Sequence, residues 1–337
     1  MNESTERGFS RREFLAGTSM LGAATLLGLP RTAASEASLE ITKIRLVHAP
    51  AICFAPQYLA EELLRLEGFT EVEYIKESKN AVAAIAERRA DFSMDATPAY
   101  LPSVDIGKPV VVLAGIHAGC YELFGHEEVR AIRNLKGKRV AISVLGAIEH
   151  ILMSSIVAYV GIDPKQIDWV QAGSNPDAMR LFEEHKTDAF LGFPPQPQEL
   201  RAKKIGRVIL NMTQDKPWSQ YFCCSLGGNR EFIAKYPVAT KRAVRAYLKA
   251  ADICAQEPER VAQFLVTRGY EPRYEIGLEV LKTIPYNRWR YADPEDTLRF
   301  HALRLKEVGI IKSTPQKIIA QGTDWRFLNE LKKELKA

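Results

Sequence analysis

The sequence holds no CxxC pair, no HExxH or GxSxG motif, and no repeat of fixed period. A zinc-protease helix and a nucleophile elbow are thereby excluded, and so are solenoids and propellers. No block of like charge forms a tail, and no stripe interleaves aromatic with basic residues. With a net charge of only +5, nucleic acid is not an expected partner. The five cysteines (Cys53, Cys120, Cys223, Cys224, Cys254) are scattered, without metal-ligand spacing. The vicinal pair Cys223–Cys224 stands out, but buried thiols packing as small apolar side chains are the expectation. Neither a metal nor a cofactor is expected. What is present is ordinary for a globular chain: 337 residues, 46% hydrophobic and 26% charged, enough for two cores.

The N-terminus reads as an export signal. Ser10-Arg11-Arg12-Glu13-Phe14-Leu15 precedes a weakly apolar stretch, Ala16 to Leu29, and small residues follow from Thr32 to Ala37. The apolar stretch is too short for a membrane span, which needs about 20 residues. SRREFL resembles the twin-arginine signal S-R-R-x-F-L at every fixed position. The resemblance implies export through that pathway, with cleavage after Ala34 or Ala37 and a mature protein in the periplasm.

Beyond the signal the chain alternates strands and helices. Ile41–His48 reads as a strand and Ala55–Leu66 as a helix ended by Gly68. Val72–Lys76 and Ala90–Met94 are short strands, with a helix over Asn80–Arg89 and Asn80 as its cap. Pro109–Ile116 is an unbroken apolar run, the mark of a strand buried on both faces. The same grammar restarts at Arg139–Val144, a strand followed by the helix Ala147–Tyr159. Further strands fall at Ile167–Val170 and Asp188–Gly192, with helices at Asp177–Glu184 and Gln198–Lys204. After Tyr221–Leu226 the chain reads as helical, with prolines 237, 258 and 294 at helix starts where a missing N–H costs nothing.

Strands alternating with helices predict an α/β fold with mostly parallel sheets flanked by helices. Two such blocks and a helical tail predict two lobes with a ligand cleft between them. The expected organisation is a signal over 1–37, a first lobe over 38–118, and a second over 119–220. Residues 221–337 would then cross back and complete the first lobe. Ligands of open parallel sheets lie beyond the C-terminal strand ends. That rule selects the stretches 49–54, 95–97, 118–121, 145–150, 173–174 and 193–195. From these, and from Tyr221 at the return crossing, the expected ligand-binding residues are Ile52, Cys53, Phe54, Asp95, Ala96, Thr97, Gly119, Tyr121, Gly146, Ala147, His150, Phe193 and Tyr221.

Several motifs carry a family resemblance: Ala55-Pro56-Gln57-Tyr58-Leu59-Ala60, Ala90-Asp91-Phe92, Leu135-Lys136-Gly137-Lys138-Arg139-Val140-Ala141, Gly161-Ile162-Asp163-Pro164, and Arg230-Glu231-Phe232 running to Pro237. In this order they resemble the solute-binding component of ABC importers of the nitrate, sulfonate and taurine type. That group is related to proteins handling thiamine-pyrimidine precursors. The resemblance implies a two-lobed periplasmic-binding-protein fold of type II. It also implies a small-molecule ligand and delivery to an ABC permease in the membrane. Nothing in the sequence suggests more than a monomer, and without a catalytic motif no enzyme activity is expected.

The resemblance places the ligand's polar head at Gly146 and the backbone N–H groups of Ala147 and Ile148. Sulfonate and nitrate binders often have Ser or Thr beside that glycine. Ala147 supplies no hydroxyl, which turns the expectation from a tetrahedral oxyanion towards an organic ligand. Asp95 suits an amine or ring N–H donor, or else serves as a helix cap before Ala96-Thr97-Pro98. His150 faces the cleft or is structural. Phe54, Tyr121, Phe193, Trp218, Tyr221 and Phe222 suit a planar ligand, or are core. Two rivals stand beside the importer reading. One is a pyrimidine-precursor synthase-like enzyme using His and Cys; the other is a sensor presenting its ligand to a membrane receptor.

Overall fold

The computed structural model describes residues 36–48, 51–76 and 81–336. The twin-arginine motif and Asn80 lie outside them. From Ser38 onward the chain is one compact unit. Among the described residues no helix is long and apolar enough to cross a membrane.

Two five-stranded sheets organise the unit. The first contains β1 (Lys43–His48), β2 (Glu71–Lys76), β3 (Phe92–Ala96), β4 (Val110–Ala118) and β10 (Phe222–Asn229), in the order β2-β1-β3-β10-β4. The second contains β5 (Glu122–Gly125), β6 (Arg139–Ile142), β7 (Asp168–Gln171), β8 (Ala189–Gly192) and β9 (Arg207–Asn211), in the order β7-β6-β8-β5-β9. Helices flank both. The sheets are mixed rather than mostly parallel, and the reason is the crossings. β10 returns from the second sheet and inserts antiparallel between β3 and β4. β5, entered from the first sheet, inserts antiparallel between β8 and β9. Among the ten described strands, the β1–β2, β1–β3, β6–β7 and β6–β8 pairings are the parallel ones.

Sequence explains the central strands. All nine residues of β4, VVVLAGIHA, are buried, as an unbroken apolar run requires. β10 reads FCCSLGGN, and its small residues let helices approach closely. A Cβ on Gly227 would run into the Tyr100 ring, which packs against the strand there. Buried Gln57 ties three elements together. Its Nε2 donates to Val47 O (2.7 Å), while its Oε1 accepts from Met94 N (2.9 Å) and Tyr247 Oη (3.2 Å). The ends of β1 and β3 are thereby fixed against the tail helix Pro237–Gln256.

The tail holds seven helices, from Arg230–Lys235 to Arg326–Glu334. Prolines 237, 258 and 294 open theirs, and so does Pro315 in a helix, Pro315–Gly322, that the sequence reading did not separate. Helix Ile148–Tyr159 of the second half reaches this side through Ile151, which joins a core with Tyr100, Leu101 and Leu298.

Candidate functional site

Strand ends of the first sheet converge on the crossings. β1 is followed by a single tight helical turn, Ile52–Phe54, which carries Cys53 inward, and Tyr286 Oη donates to Cys53 O at 3.3 Å. β3 ends in Asp95 and Ala96, and β4 ends in His117 and Ala118. The chain then turns through Gly119 (φ +68°) and Cys120 (φ 118°). A Cβ on Gly119 would meet the Thr213 backbone at 2.5 Å, so only glycine fits there. β10 starts with a register irregularity: Phe222 pairs with Ala118 and Cys224 with His117, leaving Cys223 extra. A bulge of this kind re-aims side chains, here towards the first crossing.

The result overturns the view of the cysteines as scattered. Ligand-capable atoms of Cys53, His117, Cys120 and Cys224 all lie within 4.8 Å of one another, every one buried. Cys223 Sγ sits 3.2 Å from Cys120 Sγ and 3.9 Å from Cys224 Sγ. Only Cys254 stays apart as a simple apolar thiol, pushed up by burial. Sequence spacing hid the cluster because its members come from three chain segments far apart in sequence: Cys53, His117 to Cys120, and Cys223–Cys224. His117-Ala118-Gly119-Cys120 after a buried strand, with a Cys-Cys pair opening the strand beside it, was the available signal.

Charge is shared unevenly in this pocket. Hydrogen bonding from Cys120 and then Cys224 holds the Cys53 thiol well below its ordinary range. Cys223, although burial opposes it, is drawn down to about 5 by Cys120, Cys224 and nearby His117. Burial pushes Cys120 and Cys224 up. His117 is raised, against burial, by adjacent Cys53. Its Nε2 is buried and has no hydrogen-bond partner among the described residues. Burial pushes the Asp95 carboxyl up to about 7, with Cys53 and Cys223 adding to the rise.

The strand ends of the second sheet form an open pocket of ≈ 930 Å³. Its lining includes Ser143, Ala147, Ser174, Asn175, Phe193 and Gln196. Ser174 caps helix Asn175–Glu183 through Asp177 N, and Gln196 holds the 193–196 turn by accepting from Phe193 N. An aromatic contact joins the two groups of strand ends. The Tyr121 ring, in the first crossing, meets Phe193 edge to face at 5.7 Å.

The expected site residues divide accordingly. Cys53 joins the cluster, with Asp95 and Gly119 beside it; Ala147 and Phe193 line the pocket, and Tyr121 bridges. Others are used structurally. The Thr97 hydroxyl bonds Phe222 O and the Ser225 hydroxyl, and Tyr221 stacks on Phe300 of the tail at 4.2 Å. Ile52, Phe54 and Ala96 are buried packing residues. His150 packs edge-on against Trp169 at 4.8 Å, and its Nδ1 accepts the Gly146 N–H at 3.2 Å. The Ala147 N–H goes to Val144 O. Gly146 and Ala147 therefore have their amide donors engaged inside the loop. Asp95 accepts from Ala96 N, but Ala96, not Asp95, is the cap position of the following helix.

Two mixed sheets, joined by two crossings and flanked by helices, define a periplasmic-binding-protein fold. A family model described as NMT1/THI5 like matches residues 56–261, more than half of the sequence, and the chain belongs to that family. Among solved structures it is similar to the periplasmic nitrate-binding protein of Synechocystis, at 16% identity and a TM-score of 0.73, covering 89% of this chain and 90% of that one. It is similar also to the periplasmic aliphatic sulphonate-binding protein of Escherichia coli, at 14% identity and a TM-score of 0.66, covering 85% and 94%. A desulfurization enzyme, DSZB, shares the fold at 13% identity and a TM-score of 0.60, covering 88% and 99%. At these identities the likeness is one of fold. No curated relative matches the sequence.

Proposed function

We propose that this protein is the solute-binding component of an ABC importer. It is exported to the periplasm by the twin-arginine pathway and acts as a monomer. It captures a small organic molecule between two lobes, residues 38–118 with 221–337 and residues 119–220, and delivers it to a membrane permease. The observation that carries the reading is the meeting of both sets of strand ends at the crossings, where Tyr121 touches Phe193 beside a pocket of ≈ 930 Å³. That volume falls in the range of small-molecule sites, roughly 300–1,000 Å³. The lining sets the Phe193 ring and the polar groups of Ser143, Ser174, Asn175 and Gln196 beside Arg180, Glu183, Glu199 and Lys203, whose charges are all taken up in ion pairs. With no cation left unpaired there, a ligand with an aromatic or heterocyclic part is favoured over an inorganic anion.

One observation favours a second reading, covalent catalysis: Cys53 lies beside His117 with its thiol held low. Both groups are sealed from solvent, which places them behind the solute reading. A thermal-shift screen separates the two. Its panel spans sulfonates, nitrate, aromatic acids, pyrimidines and amines. A ligand at a hundred times its dissociation constant stabilises the folded state by about 2.7 kcal/mol. A hit recovered unchanged supports the binding protein. Conversion of the hit supports the enzyme.

A further inference from the structure

We infer that Cys53, His117, Cys120 and Cys224 form a binding site for a zinc-like cation, tetrahedral and thiolate-loving, at the junction of the two crossings. This does not depend on the importer reading. The four ligand atoms lie within 4.8 Å of one another and come from the turn after β1, the end of β4, the first crossing and β10. Zn–S bonds of about 2.3 Å set sulfur–sulfur edges of about 3.8 Å in a tetrahedron, so contraction of an ångström or less completes the shell.

Two further observations point to an occupant. His117 is fully buried, and its Nε2 has no hydrogen-bond partner among the described residues, a condition that costs free energy unless something binds there. The β10 bulge, besides, turns a Cys-Cys pair towards the crossing, where a plain strand would send neighbouring side chains to opposite faces.

The donor set selects the metal. Three sulfurs and one imidazole suit zinc and its soft neighbours, whereas calcium and magnesium take oxygen ligands. Protons held by the three thiols and the imidazole leave to solvent as the cation enters, giving three thiolates and a neutral imidazole around it. Four protein ligands close the shell, the pattern of a structural rather than a catalytic zinc. Such an ion would staple both crossings to the end of the first sheet, at the place where two lobes would hinge. Cys223, 3.2 Å from Cys120, stands as a fifth sulfur outside the set.

The test uses the full chain, purified under reducing conditions and stripped with a chelator. Zinc is titrated in competition with a chromogenic chelator, and cobalt(II) reports geometry through its thiolate charge-transfer and tetrahedral d–d bands. The expected result is one zinc per chain, a cobalt spectrum of thiolate type, and a melting temperature raised by zinc. Cys120→Ser and Cys224→Ser should each weaken zinc by more than about 100-fold, beyond the 10–100-fold typical of losing an outer-shell partner. His117→Cys should retain binding as a four-thiolate site, whereas Cys254→Ser should change nothing. The retained binding in His117→Cys keeps the test valid if a serine variant fails to fold. Absence of zinc uptake and of cobalt–thiolate bands in the folded, reduced wild-type chain would overturn the site. So would zinc binding unchanged in folded Cys120→Ser and Cys224→Ser.

Discussion

The rings of Tyr121 and Phe193 meet edge to face, 5.7 Å between centroids and 62° between planes. Tyr121 belongs to the segment leaving the first sheet, and Phe193 to the loop after β8 of the second. The pair is thus a joint between the two sets of strand ends. Phe193→Ala removes one wall of the pocket and an aromatic pair worth about 0.5–1.5 kcal/mol beyond its buried area. Solute affinity, measured by calorimetry with a screening hit, should fall about three- to tenfold or more in that variant. Unchanged affinity would separate the pocket from solute binding.

Asp95 distinguishes ligand classes. A ligand that donates an N–H to its carboxylate should lose about 1–3 kcal/mol of binding in Asp95→Ala. An oxyanion should bind the variant as well as wild type or better, because the repelling carboxylate is gone. Calorimetric titration of wild type and Asp95→Ala with the same compound reads the sign directly.

The first crossing takes positive φ at two adjacent residues, Gly119 and Cys120. Gly119→Ala drives a Cβ into the Thr213 backbone and should destabilise the fold by about 1–3 kcal/mol in urea unfolding. Cys120, at φ 118°, occupies a region that costs non-glycine residues about 1–3 kcal/mol. Cys120→Gly and Cys120→Ala both delete the thiol, yet only glycine relieves the backbone. The glycine variant should therefore be the more stable by about 1 kcal/mol, and the reverse order would remove the strain.

Two ion pairs run from helix Gln196–Lys203 of the second half to the tail: Arg201 to Glu279 at 2.5 Å, and Arg273 to Glu199 at 2.6 Å. Their partners are partly exposed, and such pairs contribute roughly 0.2–1 kcal/mol each. The double variant Glu199→Gln/Glu279→Gln should enlarge the radius of gyration of ligand-free protein at low salt. At high salt the difference should vanish, since screening already weakens both pairs in wild type. Small-angle scattering at two ionic strengths measures it.

His301, on tail helix Pro294–Glu307, is buried, and burial lowers it to about 4. Its folded value lies below the unfolded one, near 6.5, so the unfolded state binds the proton more readily. The stability it contributes is present above about pH 6.5 and lost as pH falls towards 4, by about 3 kcal/mol at most. His301→Leu should flatten that limb of the pH–stability curve. An unchanged acid limb would show that other groups carry it.

The alternation of strands and helices was legible because period-two and apolar runs mark strands wherever one or both faces are buried. Val110–Ala118 and the proline-headed tail helices are examples. Sheet direction was not legible: β5 (ELFG) is four residues long, and nothing local says that it or β10 runs against its neighbours. The strand-end rule placed Cys53, Asp95, Ala147 and Phe193 at or just beyond strand ends, where the fold has them, because that depends only on where a strand stops. It could not show that His150 would turn onto Trp169, or Tyr221 onto Phe300, since both partners are distant in sequence. The thiol cluster escaped for the same reason: 103 residues separate Cys120 from Cys223.

Native mass spectrometry of the chain with a compound found in the thermal-shift screen tests solute capture most directly. The account predicts one compound per chain, released with unchanged mass after prolonged incubation, and weakened retention in Phe193→Ala. Release of a chemically altered compound, or full retention in the folded Phe193→Ala variant, would contradict it.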